Sequence, residues 1–315
     1  MAIAARERDR EAGRGRADGV GVALMLGSGL SNQVGAAAGA LAFPVLGPVG
    51  VVAVRQWIAA AVLLAVSRPG LRTLTAPQWR LVVGLAVASG SMNLTLYSAV
   101  QRIGLGLAVT LEFLGPLAVA LLGSRRRVDV GFALVAGAAV VVLVRPTPTT
   151  DYLGVALGLA AAACWAAYIL LNRAIGADIA RAEAPRSWGR VARGMRCSAA
   201  ATLLSASVYL PVGVVVLRQH PPTPQALVGA VVAGLLASAV PLLADLLALR
   251  RVPAHSFGVF MSVNPVLAAL VGAVVLGQHL DGVSWAAIGV VVAANVGAVS
   301  YRPGSGPGRT SGDLT

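Results

Sequence analysis

The chain has 315 residues, 57% hydrophobic and only 12% charged, with a mean hydropathy of +0.80. A soluble domain carries about 25% charged residues, so the composition excludes an ordinary soluble protein and points to a membrane protein. The net charge of +13 comes from 25 basic residues, all arginine and spread between apolar runs, which argues against a nucleic-acid partner.

Residues 1–19 form a polar, arginine-rich arm, and 302–315 a polar tail expected to be disordered. Between them lie ten apolar runs, at roughly 20–43, 49–67, 80–99, 103–123, 129–144, 152–171, 197–217, 226–249, 254–277 and 284–301. A spanning helix needs about 20 residues; the 129–144 run is short and calls for a thin or tilted crossing. The first run carries Asn32 and Gln33 and ends in Ala38-Gly39-Ala40, which resembles a signal-peptidase site. Its length favours a retained span. The second run holds Arg55, which has three readings: snorkelling to the interface, pairing with Glu112, or binding a substrate carboxylate. In the third, Asn93 and Tyr97 are four apart and share a helix face.

The fourth run contains Glu112, ten residues beyond Arg102. That is about 15 Å of helix rise, near the middle of a ~30 Å hydrocarbon core. A charge there costs roughly 2.5–3.5 kcal/mol on insertion scales. Low dielectric favours the neutral form of a carboxylate, so Glu112 is a candidate to load and release a proton. The other reading is structural, a hydrogen bond to a neighbouring helix. Gly115-Pro116 follows, and Asn264-Pro265 stands at the corresponding place in the ninth run. Prolines kink helices, so Pro116 and Pro265 are candidate hinges. Trp165 and Tyr168 share a face of the sixth run.

Residues 172–196 are arginine-rich with Ile175, Ile179, Trp188 and Val191 among the charges. They read as a solvated basic loop or an interfacial amphipathic helix. Asp245, near Pro241 in the eighth run, reads as an ion pair with Arg250 or Arg251, or as a gate. His255 opens the ninth run. Gln101 and Asn295 are further amides in or beside spans. Cys164 and Cys197 have neither CxxC nor metal spacing, and His220, His255 and His279 are scattered, so no metal or other cofactor is expected.

With the N-terminus cytoplasmic, 21 arginines fall on the cytoplasmic side and three on the other (Arg102, Arg145, Arg218). This split follows the positive-inside rule and places both termini inside. The halves also resemble each other. "RIGLGLAVTLEFLGPLAVALLG" (102–123) aligns with "RVPAHSFGVFMSVNPVLAALVG" (251–272), pairing Arg102 with Arg251 and Pro116 with Pro265. Glu112 falls opposite Met261, so the carboxylate belongs to one half only. Five spans per half invert the second copy. The expected fold is therefore all-α and polytopic, ten transmembrane helices in two inverted five-helix repeats, 20–145 and 146–301. Such repeats carry a substrate site near the midplane. Gln33, Arg55, Asn93, Tyr97, Glu112, Trp165, Tyr168 and Asn264 are the candidates to line it.

The segments "SMNLTLY" (91–97), "GLAVTLEFLGPLAVAL" (106–121), "SRRRVD" (124–129), "ACWAAYIL" (163–170) and "FGVFMSVNPVLAAL" (257–270) carry a family resemblance. The chain resembles the EamA-type proteins of the drug/metabolite transporter superfamily, and within them the threonine/homoserine exporter family, over about residues 20–301. The resemblance implies a bacterial inner-membrane exporter of small amino acids or related metabolites, coupled to protons and working as a monomer or homodimer. It leaves other metabolites or drugs open as substrates. The chain departs from the family at Gly277-Gln278, where many relatives carry Gly-Glu, at Asn264, where some carry Glu, and at Asp245, where Glu is common. An intramembrane enzyme is the rival class, but no HExxH, GxSxG or paired span aspartates are present. Nothing resembles a channel's filter loop.

Overall fold

The computed structural model describes residues 23–67, 74–122, 127–144, 151–181, 187–241 and 262–300. Among these, regular structure is entirely helical. Helix α1 covers 23–41, α2 Phe43–Ser67, α3 Ala76–Ile103, α4 Leu105–Glu112, α5 Leu114–Leu122 and α6 Arg127–Val144. Then come α7 Tyr152–Arg181, α8 Ser187–Gln219, α9 Pro224–Gly234 with a π-helical turn Leu235–Ala239, α10 Asn264–Leu276 and α11 Gly282–Ser300. Four helices are long and apolar enough to cross a bilayer, over Phe43–Ala65, Ala76–Ile103, Tyr152–Ile179 and Gly194–Gln219. Five shorter apolar stretches and α1 bring the total among the described residues to ten. Large apolar side chains such as Leu122, Leu134, Val208 and Val274 point outward. In water that surface would be costly; in lipid it is the expected exterior.

Two sequence expectations change. The fourth run is not one helix: it breaks at Phe113, between α4 and α5. Pro116 has no N–H for the carbonyl of Glu112 four residues back, and its ring crowds that carbonyl. Segment 172–196 is mostly neither loop nor separate interfacial helix, since α7 runs on to Arg181 and α8 starts at Ser187. Ile175 and Ile179, one turn apart, bury against Val82, Leu85 and Cys197, which extends α7 beyond its apolar run. Gln78 adds a hydrogen bond to Asp178 at 3.1 Å. Asp245 and His255 lie outside the described residues.

Small residues bring the helices together. A Cβ on Gly115 would land on the backbone carbonyl of Ala162 in α7. One on Gly35 would meet the backbone N of Ala237 at 2.6 Å, so α1 lies directly on the π turn. At the end of the bundle where α3 gives way to α4, Gln278 Oε1 accepts from Leu105 N–H at 2.9 Å. Gly104 there has φ 82°, and a Cβ would sit 3.0 Å from the same oxygen, so the position favours glycine on both counts. At this end Arg102 pairs with Asp151 at 3.0 Å. Asp151 also caps α7, accepting from Gly154 N–H at 2.8 Å.

The Gly154 N–H, helped by the Arg102 guanidinium, holds the Asp151 carboxyl below the usual aspartate range. A depressed folded value contributes stability above the ordinary value, lost as pH falls through the folded one. The melting temperature in detergent of Asp151→Ala is therefore expected below wild type at neutral pH. The gap should close as pH drops below the ordinary value of 3.8. Gly115→Ala should lower the melting temperature further, through a loss of roughly 1–3 kcal/mol of stability to overpacking, because neither backbone can give way. Gly137→Ala, whose Cβ meets nothing within 4 Å inside α6, should raise stability slightly, by about 0.5–1 kcal/mol of helix propensity.

Candidate functional site

Helices α1, α2, α3, α4, α7 and α10, with the π turn after α9, enclose one central cavity of about 270 Å³. Helix α1 presents Ser28, Asn32, Gln33 and Ala36, the spacing of a single helical face. Helix α3 presents Met92, Asn93, Leu96 and Tyr97, and α7 presents Trp165 and Tyr168. Glu112, the last residue of α4, lies at the break with Phe113 beside it. Asn264 stands at the start of α10. All eight side chains named from sequence as site candidates line this one space. The volume falls near the lower end of small-molecule sites, about 300–1,000 Å³.

Arg55 does not snorkel. Its Nη2 donates to Ala237 O at 2.7 Å and its Nε to Ser238 Oγ at 3.0 Å. Its guanidinium carbon lies 5.2 Å from the centre of the Tyr97 ring, within cation–π range. The availability of this carbonyl to Arg55 has a local origin. Pro241 has no N–H for the carbonyl of Ala237, four residues before it, and the helix passes through a π turn at this point. Ser31 Oγ takes the neighbouring Leu236 carbonyl at 2.8 Å. π turns are frequent at functional sites. Sequence reading missed Ala237 and Ser238; the available signal was Pro241.

Glu112 is 6% exposed. It and Arg55 line the same cavity without touching, for the only ion pair among the described residues is Arg102–Asp151. An acid and a base that form no direct ion pair thus share one small space, where low dielectric strengthens the action of any charge on what lies between them. The aromatic wall is fixed by edge-on contacts, Phe113 to Trp165 at 4.6 Å and Phe43 to Tyr97 at 5.9 Å. Gln33 Nε2 donates to Asn264 Oδ1 at 3.3 Å, tying α1 to α10. Asn93 bonds back to Ser89 O at 2.8 Å. Asn295 bonds to Val291 O at 3.0 Å within α11 and does not line the cavity. Of the two candidate hinges, Pro116 follows the break at Phe113, and Pro265 lies in the first turn of α10, after the turn at Ser262–Val263. A second cavity of about 180 Å³ adjoins at Arg55, Met92, Asn93 and Tyr168, and continues past Ser89, Ser198 and Thr202.

Residues 152–299 match the EamA-like transporter family. The threonine/homoserine exporter RhtA of Escherichia coli (strain K12) is 32% identical over 284 residues, 88% of this chain and 90% of that protein. Its namesake from Salmonella typhimurium (strain SL1344) is 34% identical over 275 residues, 85% of this chain and 87% of that one. The chain belongs to the threonine/homoserine exporter family of EamA-type transporters. It is thus a membrane exporter of the drug/metabolite transporter superfamily, with a small-molecule substrate. One solved crystal structure shares the fold with a TM-score of 0.54 and 21% identity, over 90% of this chain and 97% of that one.

Pro241→Ala is expected to restore an N–H that competes with Arg55 for the Ala237 carbonyl. A hydrogen bond to a charged group contributes roughly 1.5–3 kcal/mol, so export by cells carrying the variant should fall about tenfold at unchanged membrane abundance. Ser238→Ala, which leaves the carbonyl in place, should have the smaller effect.

Proposed function

We propose that the protein exports small zwitterionic amino acids, threonine- or homoserine-like, across the bacterial cytoplasmic membrane in exchange for protons. The observation that carries this reading is the separated pair, Arg55 and Glu112, lining one cavity of about 270 Å³. A zwitterion presents a carboxylate and an ammonium a few bonds apart. Arg55 receives the carboxylate, for which its planar fork is suited, and Glu112 the ammonium. Asn93, Gln33 and Asn264 serve the remaining polar atoms, while Trp165, Tyr168 and Tyr97 wall the hydrocarbon. The names of the relatives support this substrate class.

Coupling follows from the carboxylate. Protonated Glu112 is neutral and does not hold an ammonium by charge, so proton and substrate compete for one group. That competition is the requirement for antiport: substrate leaves outward as a proton takes its place and is carried in. The helix break near Pro116 and the helix start at Pro265 support hinges at equivalent points of two inverted repeats, 20–145 and 146–301, on which access alternates. From its sequence position, Asp245 pairs with Arg250 or Arg251 or serves as a gate at the cytoplasmic mouth. The arginine distribution supports cytoplasmic termini, with 1–19 and 302–315 as arm and tail. The protein works as a monomer or homodimer. The small cavity argues against bulky drugs.

Reconstituted protein should show saturable threonine or homoserine counterflow, which separates a transporter from a channel, and expression should protect an exporter-deficient bacterium against homoserine. Resistance confined to bulky cations or dyes would sink the amino-acid reading. Glu112→Gln should abolish accumulation driven by a pH gradient; full gradient-driven transport by this variant would refute the proton role. Arg55→Lys keeps the charge but loses the fork, so its apparent affinity should fall roughly tenfold.

A further inference from the structure

Three buried polar atoms have no hydrogen-bond partner among the described residues: Gln33 Oε1, Tyr97 Oη and Trp57 Nε1. Two of the three, on Gln33 and Tyr97, belong to side chains of the central cavity wall. A buried polar atom without a partner costs roughly 1–3 kcal/mol, and such an atom in a folded protein calls for an explanation. The cost is not offset by freedom of movement. Gln33 is 2% exposed and Tyr97 1% exposed. The Gln33 amide is held from its other end by Asn264 at 3.3 Å, and the Tyr97 ring is clamped between Phe43 and the Arg55 guanidinium. Both groups are rigidly mounted, polar and unsatisfied, on two different helices of one site.

Their chemistry is complementary to a neutral hydroxyl. Gln33 Oε1 accepts; the Tyr97 phenol donates and accepts; an alcohol does both. Neither group is charged, so neither competes with Arg55 or Glu112 for the ionic ends of an amino acid. We infer that Gln33 and Tyr97 form the subsite that reads a side-chain hydroxyl, making the exporter selective for hydroxylated short side chains over hydrocarbon side chains of the same shape. The inference rests on the amino-acid reading above and extends it to the choice among amino acids. Its physical basis is asymmetric. An apolar pocket rejects an isostere that adds a hydroxyl only weakly, whereas a site built to bond a hydroxyl strongly rejects the analogue lacking it, because its own buried polar groups stay unpaired.

The test uses isosteric pairs in proteoliposome counterflow with the full chain: threonine against valine, and homoserine against norvaline. Wild type should prefer the hydroxylated member of each pair by at least about tenfold, and Gln33→Leu should reduce that ratio about tenfold, whatever its overall transport rate. A single symmetric peak of the detergent-solubilised variant in gel filtration shows that it is folded. Should Gln33→Leu fail to fold, Tyr97→Phe, which removes one oxygen and keeps the ring, decides the matter in the same way. A threonine-to-valine ratio unchanged in a transporting variant overturns this subsite and leaves the amino-acid reading standing. Wild type that moves neither member of either pair overturns both.

Discussion

A guanidinium inside an apolar bundle must be satisfied by the protein, and the central part of the molecule is arranged around that demand. Arg55 obtains its acceptor from a helix whose own hydrogen-bond ladder is interrupted: Pro241 leaves the Ala237 carbonyl without its usual N–H, and the π turn accompanies the gap. The same turn is then pinned by Ser31, and α1 approaches it closely because Gly35 has no side chain. One interrupted helix thus fixes α1, α2 and, through the Tyr97 ring, α3. These helices form much of the cavity wall.

The second proline acts by the same chemistry with a different result. Pro116 withholds an N–H from the Glu112 carbonyl, so α4 ends at Glu112 and the chain turns at Phe113. The turn also sets Phe113 edge-on to Trp165. The acid is therefore held at a helix terminus beside an aromatic wall, apart from the base across the cavity. Had the two side chains met, their charges would have neutralised each other and left little to recognise an ion. In the function proposed above, that separation lets an incoming zwitterion complete both.

Legibility from sequence differed sharply between depth and partnership. Glu112, Arg55, Gln33 and Asn93 stood out because each is polar in an apolar run, and polarity at depth is visible along one strand of text. The pairs Asn93/Tyr97 and Trp165/Tyr168 follow from helical spacing, which fixes shared faces without knowledge of neighbours. The direction in which Arg55 turns was not visible, since snorkelling and inward bonding are equally compatible with its place in the run. Nor was the role of Gln278, whose acceptor closes onto Leu105, 173 residues away. Asn295 reads from sequence like Asn264, yet one bonds to its own helix and the other faces the cavity.

The sequence by itself determined that this is a membrane protein with ten apolar runs and a few misplaced polar groups, because hydrophobicity and arginine placement are properties of each segment taken alone. It also marked where helices would be interrupted, since proline acts on its own backbone. Tertiary structure decided which carbonyl Arg55 takes, how far α7 and α8 continue beyond their apolar runs, and that eight polar and aromatic side chains from six helical segments surround one space. Those outcomes depend on close approach between helices at glycine and alanine, residues so common in this chain that their contacts emerge only when the helices are packed.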